Sequence, residues 1–321
     1  MSTDVKVRER LNDQEIADVL RVVDAATEAD RVRPLNEHVM LHLRYGGDPR
    51  ARSLLLYDAD ELIGYAHVDP TDEVEGPSGE LVVHPAHRRR GHGRELLRAV
   101  LGLTGGRLRL WAHGDHPGAG ALAASLGMER ARSLWQMRRS LFAPLPEAGL
   151  PEGVTIRTFV PGQDEEAWLK VNAAAFANHP EQGAWTLDDL LRREREPWFD
   201  PEGFFLAFRG DRLAGFHWTK IHGSDEHGHE PLGEVYVVGV DPSQQGTGLG
   251  KALTLTGLNH LRSRGLAQAM LYVDESNTWA IRLYESLGFA RWDVDVMYAA
   301  TPPPSAGSST TEQPPEPRPE S

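Results

Sequence analysis

The chain has 321 residues, of which 40% are hydrophobic and 25% charged, with a net charge of −13 and no cysteine. That is the composition of a soluble globular protein long enough for two ordinary domains; the acidic balance argues against nucleic acid as a partner, because neutralising phosphates takes an excess of Lys and Arg. The missing cysteines remove disulfides, thiolate metal sites and a thiol nucleophile, and with no run of about 18 apolar residues and no basic-then-apolar leader, a cytoplasmic protein with no membrane contact is expected.

Hydrophobic periodicity predicts amphipathic helices over 13–26 and 35–44, then a hairpin of strands 53–57 and 61–68 turned at Asp58-Ala59-Asp60. A strand over 79–83, a Gly-rich loop, a helix running to about 103, a strand over 107–112 and a short helix over 119–126 follow. Pro144, Pro146 and Pro151 then punctuate a linker. The same order returns afterwards: helices over 165–176 and 187–196, a hairpin of 204–208 and 212–221, a strand over 233–240, a loop, a helix to about 265, a strand over 269–274, a helix over 278–287 and a closing strand over 291–298. From Thr301 the composition is Pro, Ser, Thr and Glu, as in a disordered, dispensable tail. The expected fold class is α/β with two tandem units, each a mixed sheet flanked by helices. The first spans 1–141, the linker 142–152, the second 153–300 and the tail 301–321.

The two Gly-rich loops share one register. Val83-His84-Pro85 leads into Arg88-Arg89-Arg90-Gly91-His92-Gly93, and Val240-Asp241-Pro242 leads into Gln245-Gly246-Thr247-Gly248-Leu249-Gly250-Lys251. Each follows a strand and opens a helix, where unpaired backbone N–H groups point at an incoming anion and Gly lets it come close. A P-loop fails on Gln245 and Ala252, and the dinucleotide fingerprint fails on Lys251 and Leu253. The arginines of the first loop, with Arg94 and Arg98, suit either a solvated basic helix face or the phosphates of a coenzyme.

The Gln/Arg-x-x-Gly-x-Gly pattern resembles the acetyl-CoA loop of the GNAT superfamily of N-acetyltransferases. A second stretch, Asn277-Thr278-Trp279-Ala280-Ile281-Arg282-Leu283-Tyr284, resembles that family's other signature, in which an Asn opens a helix and a Tyr near its end faces the coenzyme sulfur. Asn277 is also well suited as a plain N-cap. Aligning Leu126-Gly127-Met128 with Leu287-Gly288-Phe289 puts Ala123 opposite Tyr284 and His116 opposite Asn277, so the first copy has no phenol at the leaving group. It is expected to hold acetyl-CoA without transfer chemistry, and catalysis is expected in the second unit. Resemblance to the family further implies Glu234 as the base, Tyr284 as the acid and backbone N–H groups of Val238-Gly239-Val240 on the acetyl oxygen. His222, His227 and His229 lie in a polar, Gly-rich hairpin or loop, and no metal is expected.

Longer words, Arg33-Pro34-Leu35-Asn36-Glu37-His38, Ala177-Asn178-His179-Pro180-Glu181-Gln182-Gly183 and Gly215-Phe216-His217-Trp218-Thr219-Lys220, resemble the mycothiol synthases, a tandem branch of the superfamily. That resemblance implies acetylation of the cysteinyl amine of a glucosamine–inositol compound, a small-molecule partner, by a monomer. It implies substrate contacts from Glu37, Glu181, Lys220, Glu234 and Tyr272. Coenzyme contacts are implied from Leu81-Val82-Val83 and the first loop, and from Val238 to Val240, the second loop and the helix start Asn277 to Arg282. An acetyltransferase for another amine, such as an aminoglycoside or a protein N-terminus, and a non-catalytic acyl-CoA sensor remain open.

Overall fold

In the first unit β1 (Thr3–Arg8), α1 (Asp13–Asp30) and α2 (Glu37–Tyr45) precede the hairpin β2 (Arg52–Asp58) and β3 (Glu61–Asp69). They are followed by β4 (Ser78–Val83), α3 (His92–Leu103), β5 (Leu108–Ala112), α4 (Pro117–Ala124) and β6 (Glu129–Ser140). The second unit repeats the order as β7 (Val154–Thr158), α5 (Glu165–Ala175), α6 (Leu187–Glu194), β8 (Phe204–Arg209), β9 (Arg212–His222), β10 (Leu232–Val240), α7 (Leu249–Ser263), β11 (Gln268–Asp274), α8 (Thr278–Ser286) and β12 (Ala290–Ala300). The computed structural model describes residues 3–72, 75–147, 149–177, 182–223 and 230–300. The expected tail from 301, together with Asn178 to Glu181, His227 and His229, lies outside them. No described helix is long and apolar enough to cross a membrane.

Helix starts follow from local capping. Asn12 and Thr186 form capping boxes with Glu15 and Asp189, and Asn36 accepts the amide of Val39. The strands are apolar on both faces because helices cover both faces. In the first unit Leu55, Tyr65 and Val82 point toward α1 and α2, whereas Leu54, Leu56 and Ala66 point toward α3 and α4, the period-2 alternation of a strand. In the second, Trp168 of α5 and Leu190 of α6 pack on Phe204, Phe216 and Trp218, while α7 and α8 bury Leu258, Leu261 and Ile281 on the other side.

The two expected mixed sheets are joined into one of twelve strands, in the order β1-β2-β3-β4-β5-β12-β6-β11-β10-β9-β8-β7. The closing strands have changed places: β12 pairs with β5 of the first unit, and β6 pairs with β11 of the second. Their side chains follow them. Val296 and Tyr298 of β12 are buried in the first unit's core, and Met137 of β6 is buried in the second's. Each unit therefore completes its apolar core with the other's last strand. Three strands were not anticipated from the sequence, β1, β6 and β7; in β6 the residues Arg130, Arg132, Arg138 and Arg139 break the apolar alternation that marks a strand.

Candidate active site

The sheet opens twice. Strand β10 pairs with β11 only through Gly233–Ala269 and Glu234–Met270, although both strands continue beyond. Likewise β4 pairs with β5 only from Ser78–Arg109 to Glu80–Trp111. Past these points the parallel strands part, which leaves one edge of Val238-Gly239-Val240 and of Leu81-Val82-Val83 unpaired toward the gap. An unpaired edge accepts an extended chain of amides by backbone hydrogen bonds.

A loop and a helix start stand beyond each opening. Gly248 (φ 86°) caps α7 and Gly91 (φ 94°) caps α3, neither with a side-chain cap, so the first N–H groups of both helices are left for an external anion. The left-handed backbone is what demands Gly there. Gly246 repeats it at φ 77°, and its counterpart in the first loop is Arg89 at φ 64°, a conformation that costs a non-glycine residue about 1–2 kcal/mol. Gln245, Thr247 and Lys251 are exposed and Leu249 is buried beneath the loop. Arg88 is not free: its guanidinium is paired to both carboxylate oxygens of Asp30 at 2.7 Å and donates to Val83 O at 3.0 Å, bracing the loop against α1. Arg89 and Arg90 are exposed, and His92 and Gly93 open α3. A cleft of about 1530 Å³ leaves the second loop at Gln245, passes Phe176 and Asn277 and crosses Arg130 and Arg132 of β6. Its lining reaches none of Val238 to Val240, Glu234 or Tyr284.

Two differences separate the openings. The register of β10 against β9 shifts between Val235 and Val237, a bulge at Tyr236, whereas β4 pairs with β3 without interruption. A bulge turns backbone N–H groups out of the ladder, so it creates donors that a regular strand lacks. Counting back along the strands from the matching pairs Gly64–Val83 and Gly215–Val240, Ser78 faces Asp69 where Glu234 faces Lys220. The first copy thus has no bulge and no carboxylate at the position facing Asp69, although Glu80, the last residue of β4 paired to β5, stands at its apex 3.1 Å from His113, and Ala123 is buried in its core where the second copy has Tyr284.

Glu234 is the last residue of β10 paired to β11, and so sits at the apex of the opening. It is 7% exposed, and His222 Nε2 at the end of β9 lies 2.7 Å from its Oε2. Tyr284 of α8 stacks edge-on to Phe289, and burial alone pushes its phenol up to about 12, so the group is a proton donor at neutral pH. Tyr272 lies on the β11 arm of the opening. Its hydroxyl accepts from Gln136 of β6 at 2.9 Å, and burial, then the charges of Asp295 and Glu234, raise it. Asn277 accepts the amide of Ala280 as N-cap of α8, as His116 accepts that of Gly118 for α4. Of the residues after Asn277, Thr278, Trp279 and Arg282 are exposed, while Ala280 and Ile281 belong to the core.

Glu37 reaches across. From the first turn of α2 in the first unit it binds Lys220 of β9 and accepts from the hydroxyl of Tyr236 at the β10 bulge, while Arg193 of α6 lies 3.8 Å away. Burial opposes its charge, but Lys220 and Arg193 outweigh that and hold the carboxyl below its usual range. Arg193 donates to the Tyr236 hydroxyl at 2.8 Å and rests on the ring of Trp185, and Lys220 rests on Trp198. Lys220 and Glu234 are cross-strand neighbours, so this two-unit pocket adjoins the apex carboxylate. Tyr236 and Arg193 complete it and were not singled out from the sequence, and His222, bonded to Glu234, was weighed there only as a metal ligand. Tyr236 reads there as one more apolar strand residue, and Arg193 as part of a charged helix.

A wedge in a mixed sheet, a bulge at its mouth and an uncapped Gly-rich helix start define an acyl-coenzyme A transferase. The sequence profile of the acetyltransferase (GNAT) family matches residues 19–128 and again 168–289, and the chain belongs to that family. It is 66% identical to the mycothiol acetyltransferase of Streptosporangium roseum, over 93% of this chain and 99% of that protein, and 65% identical to the mycothiol acetyltransferase of Thermobispora bispora, with the same coverage. Among solved structures, a tandem GNAT protein from the clavulanic acid biosynthesis pathway shares the fold with a TM-score of 0.71 at 19% identity, covering 95% of this chain and all of the other.

Proposed function

We propose that this chain transfers the acetyl group of acetyl-CoA to the cysteinyl amine of the cysteine–glucosamine–inositol precursor, the last step of mycothiol biosynthesis. The observation that carries the reading is the pocket formed by Glu37, Lys220, Tyr236 and Arg193 from both units, set beside Glu234. Relatives at 65–66% identity bear the name mycothiol acetyltransferase, and the pocket offers charged donors and acceptors suited to a hydroxyl-rich sugar carrying an ammonium. Glu181, outside the described residues, and Tyr272 belong to the same proposed acceptor site.

Acetyl-CoA supplies an activated thioester. Its pantetheine would lie along Val238 to Val240 and its pyrophosphate against the N–H groups of the second loop. Glu234 takes a proton from the acceptor's ammonium, and His222, bonded to Glu234, orients that carboxylate. An α-amine has a free pKa of about 8, so the base has only a modest task. Backbone N–H groups at the bulge meet the charge that grows on the acetyl oxygen. Tyr284 then gives its proton to the departing sulfur as charge develops there; against a thiol pKa of about 8.5 a phenol at about 12 transfers uphill, so the phenolate is short-lived and regains a proton as the acceptor nitrogen sheds its second one on forming the amide. The first opening would hold a second acetyl-CoA without turning it over, in a monomeric cytoplasmic enzyme.

The test is mass-resolved acetyl transfer to the cysteinyl glucosamine–inositol compound, with the cysteine-free glucosamine–inositol as matched control. Rapid N-acetylation of the first alone is expected. No transfer to either, with acetyl-CoA still bound, would overturn the proposal.

A further inference from the structure

The face of the first unit that corresponds to the Lys220 pocket carries different chemistry. Asp69 stands where Lys220 stands in the second copy, and His67 precedes it by one alternation of β3, so both side chains share a face. On α2 above them, His38 and His42 are one turn apart and also share a face. His38 Nε2 lies 3.0 Å from Asp69 Oδ2, and donor atoms of His38, His67 and Asp69 all lie within 4.8 Å of one another. The His42 ring packs edge-on against His67, with centroids 4.6 Å apart.

His67 is the anomaly. It is 1% exposed, and neither ring nitrogen has a hydrogen-bond partner among the described residues. A buried polar group left unpaired costs about 1–3 kcal/mol, and such groups are scarce unless something else satisfies them. A lone-pair nitrogen aimed at a carboxylate and a second imidazole is what a metal ion satisfies.

We propose that His38, His67 and Asp69 bind a zinc-like divalent transition-metal ion, with His42 or water in the fourth position. Two imidazoles and a carboxylate suit zinc or cobalt, whereas calcium and magnesium take all-oxygen sets. The exposed side chain of His38 supplies both access from solvent and the small rotation that closes the set. The ion takes no part in acetyl transfer. It ties the start of α2 to β3, and so steadies the neighbouring Glu37, whichever amine the second unit acetylates.

The full chain, stripped with a chelator, is titrated with cobalt(II) and then with zinc. One equivalent of cobalt should give the intense visible bands of a tetrahedral site, and zinc should displace them and raise the melting temperature. His38→Ala, at an exposed position that folding tolerates, should abolish the bands and weaken zinc binding by at least about 100-fold, and Asp69→Asn by about 10–100-fold. His222→Gln should keep the bands, which separates this site from the histidines near β10. A wild-type chain that takes up no cobalt, or bands that survive both His38→Ala and Asp69→Asn, would overturn the assignment.

Discussion

The phenol of Tyr284 can be removed without disturbing its ring. The ring packs edge-on against Phe289 at 5.9 Å, beside the core of α7, α8 and β11, and Phe preserves those contacts. Burial alone shifts the phenol, so Tyr284→Phe breaks no hydrogen bond among the described residues. Stability should change by less than about 0.5 kcal/mol. The chemistry should not be so tolerant. Losing a positioned acid costs about 100- to 10,000-fold, and because a thiolate is already a fair leaving group we place the loss in kcat at about 100- to 1000-fold, roughly 2.7–4 kcal/mol of barrier. KM for acetyl-CoA and for the acceptor should hold, since the proton moves only as the bond breaks. The acceptor's own thiol obscures any assay of released CoA, so the N-acetyl product is quantified by mass. The selenoester analogue of acetyl-CoA provides the decisive arm: a selenolate leaves without a proton, so transfer from it should be nearly equal in wild type and Tyr284→Phe. With a pKa near 12, this group also gives the wild type no alkaline fall in kcat through pH 10. An unchanged kcat with acetyl-CoA, or an equal loss with the selenoester, would refute the phenol as the acid.

Lys220→Met keeps the aliphatic length but leaves Glu37 with only the Tyr236 hydroxyl and a distant Arg193. Breaking a pair this enclosed should cost about 2–4 kcal/mol in a denaturant melt and raise KM for the acceptor more than for acetyl-CoA; an unchanged midpoint would show the pair to be solvated. His113 sits between Glu80 at 3.1 Å and Asp295 at 2.8 Å, and although burial opposes its charge these carboxylates raise it to about 10. A folded pKa above the unfolded 6.5 gives stability that is complete below pH 6.5 and is lost as pH rises through 10, so the melting temperature should fall across that window in the wild type and stay flatter in His113→Gln. Residues 1–141 expressed alone should lack a cooperative melt, because Val296 and Tyr298 of their core belong to β12; a cooperative transition would mean that the strand exchange is dispensable.

The loops, hairpins and α8 were legible because each is a local pattern: Gly where φ is positive, alternation where one face meets a helix, an Asn where a helix begins. The exchange of β6 and β12 has no local signature. Strand order is decided by which core a run of side chains completes, and nothing within Arg291 to Tyr298 says that Val296 will meet Leu96 and Leu110 rather than its own unit. The bulge at Tyr236 is equally hidden, since one extra residue in a Val-rich strand leaves the composition unchanged. Glu37 could be matched to a family pattern, but its arrival beside Lys220 depends on how α2 is carried across the joined sheet. His222 was weighed only as a metal ligand, because its contact with Glu234 needs the β9–β10 register.

The exchange also gives the first copy a structural reason to be retained in the architecture. Ser78 and Ala123 stand where the second copy has Glu234 and Tyr284, and β4 runs without the bulge of β10. The strand β6 supplies Gln136 to Tyr272 and Met137 to the second core, and α2 supplies Glu37 to Lys220 and Tyr236. The proposed acceptor site therefore draws on both units, because none of the second unit's described carboxylates other than Glu234 stands beside Lys220 in the sheet. A unit that lends both a strand and a side chain to its twin must keep its fold, since loss of that fold would dismantle the proposed site beside Lys220.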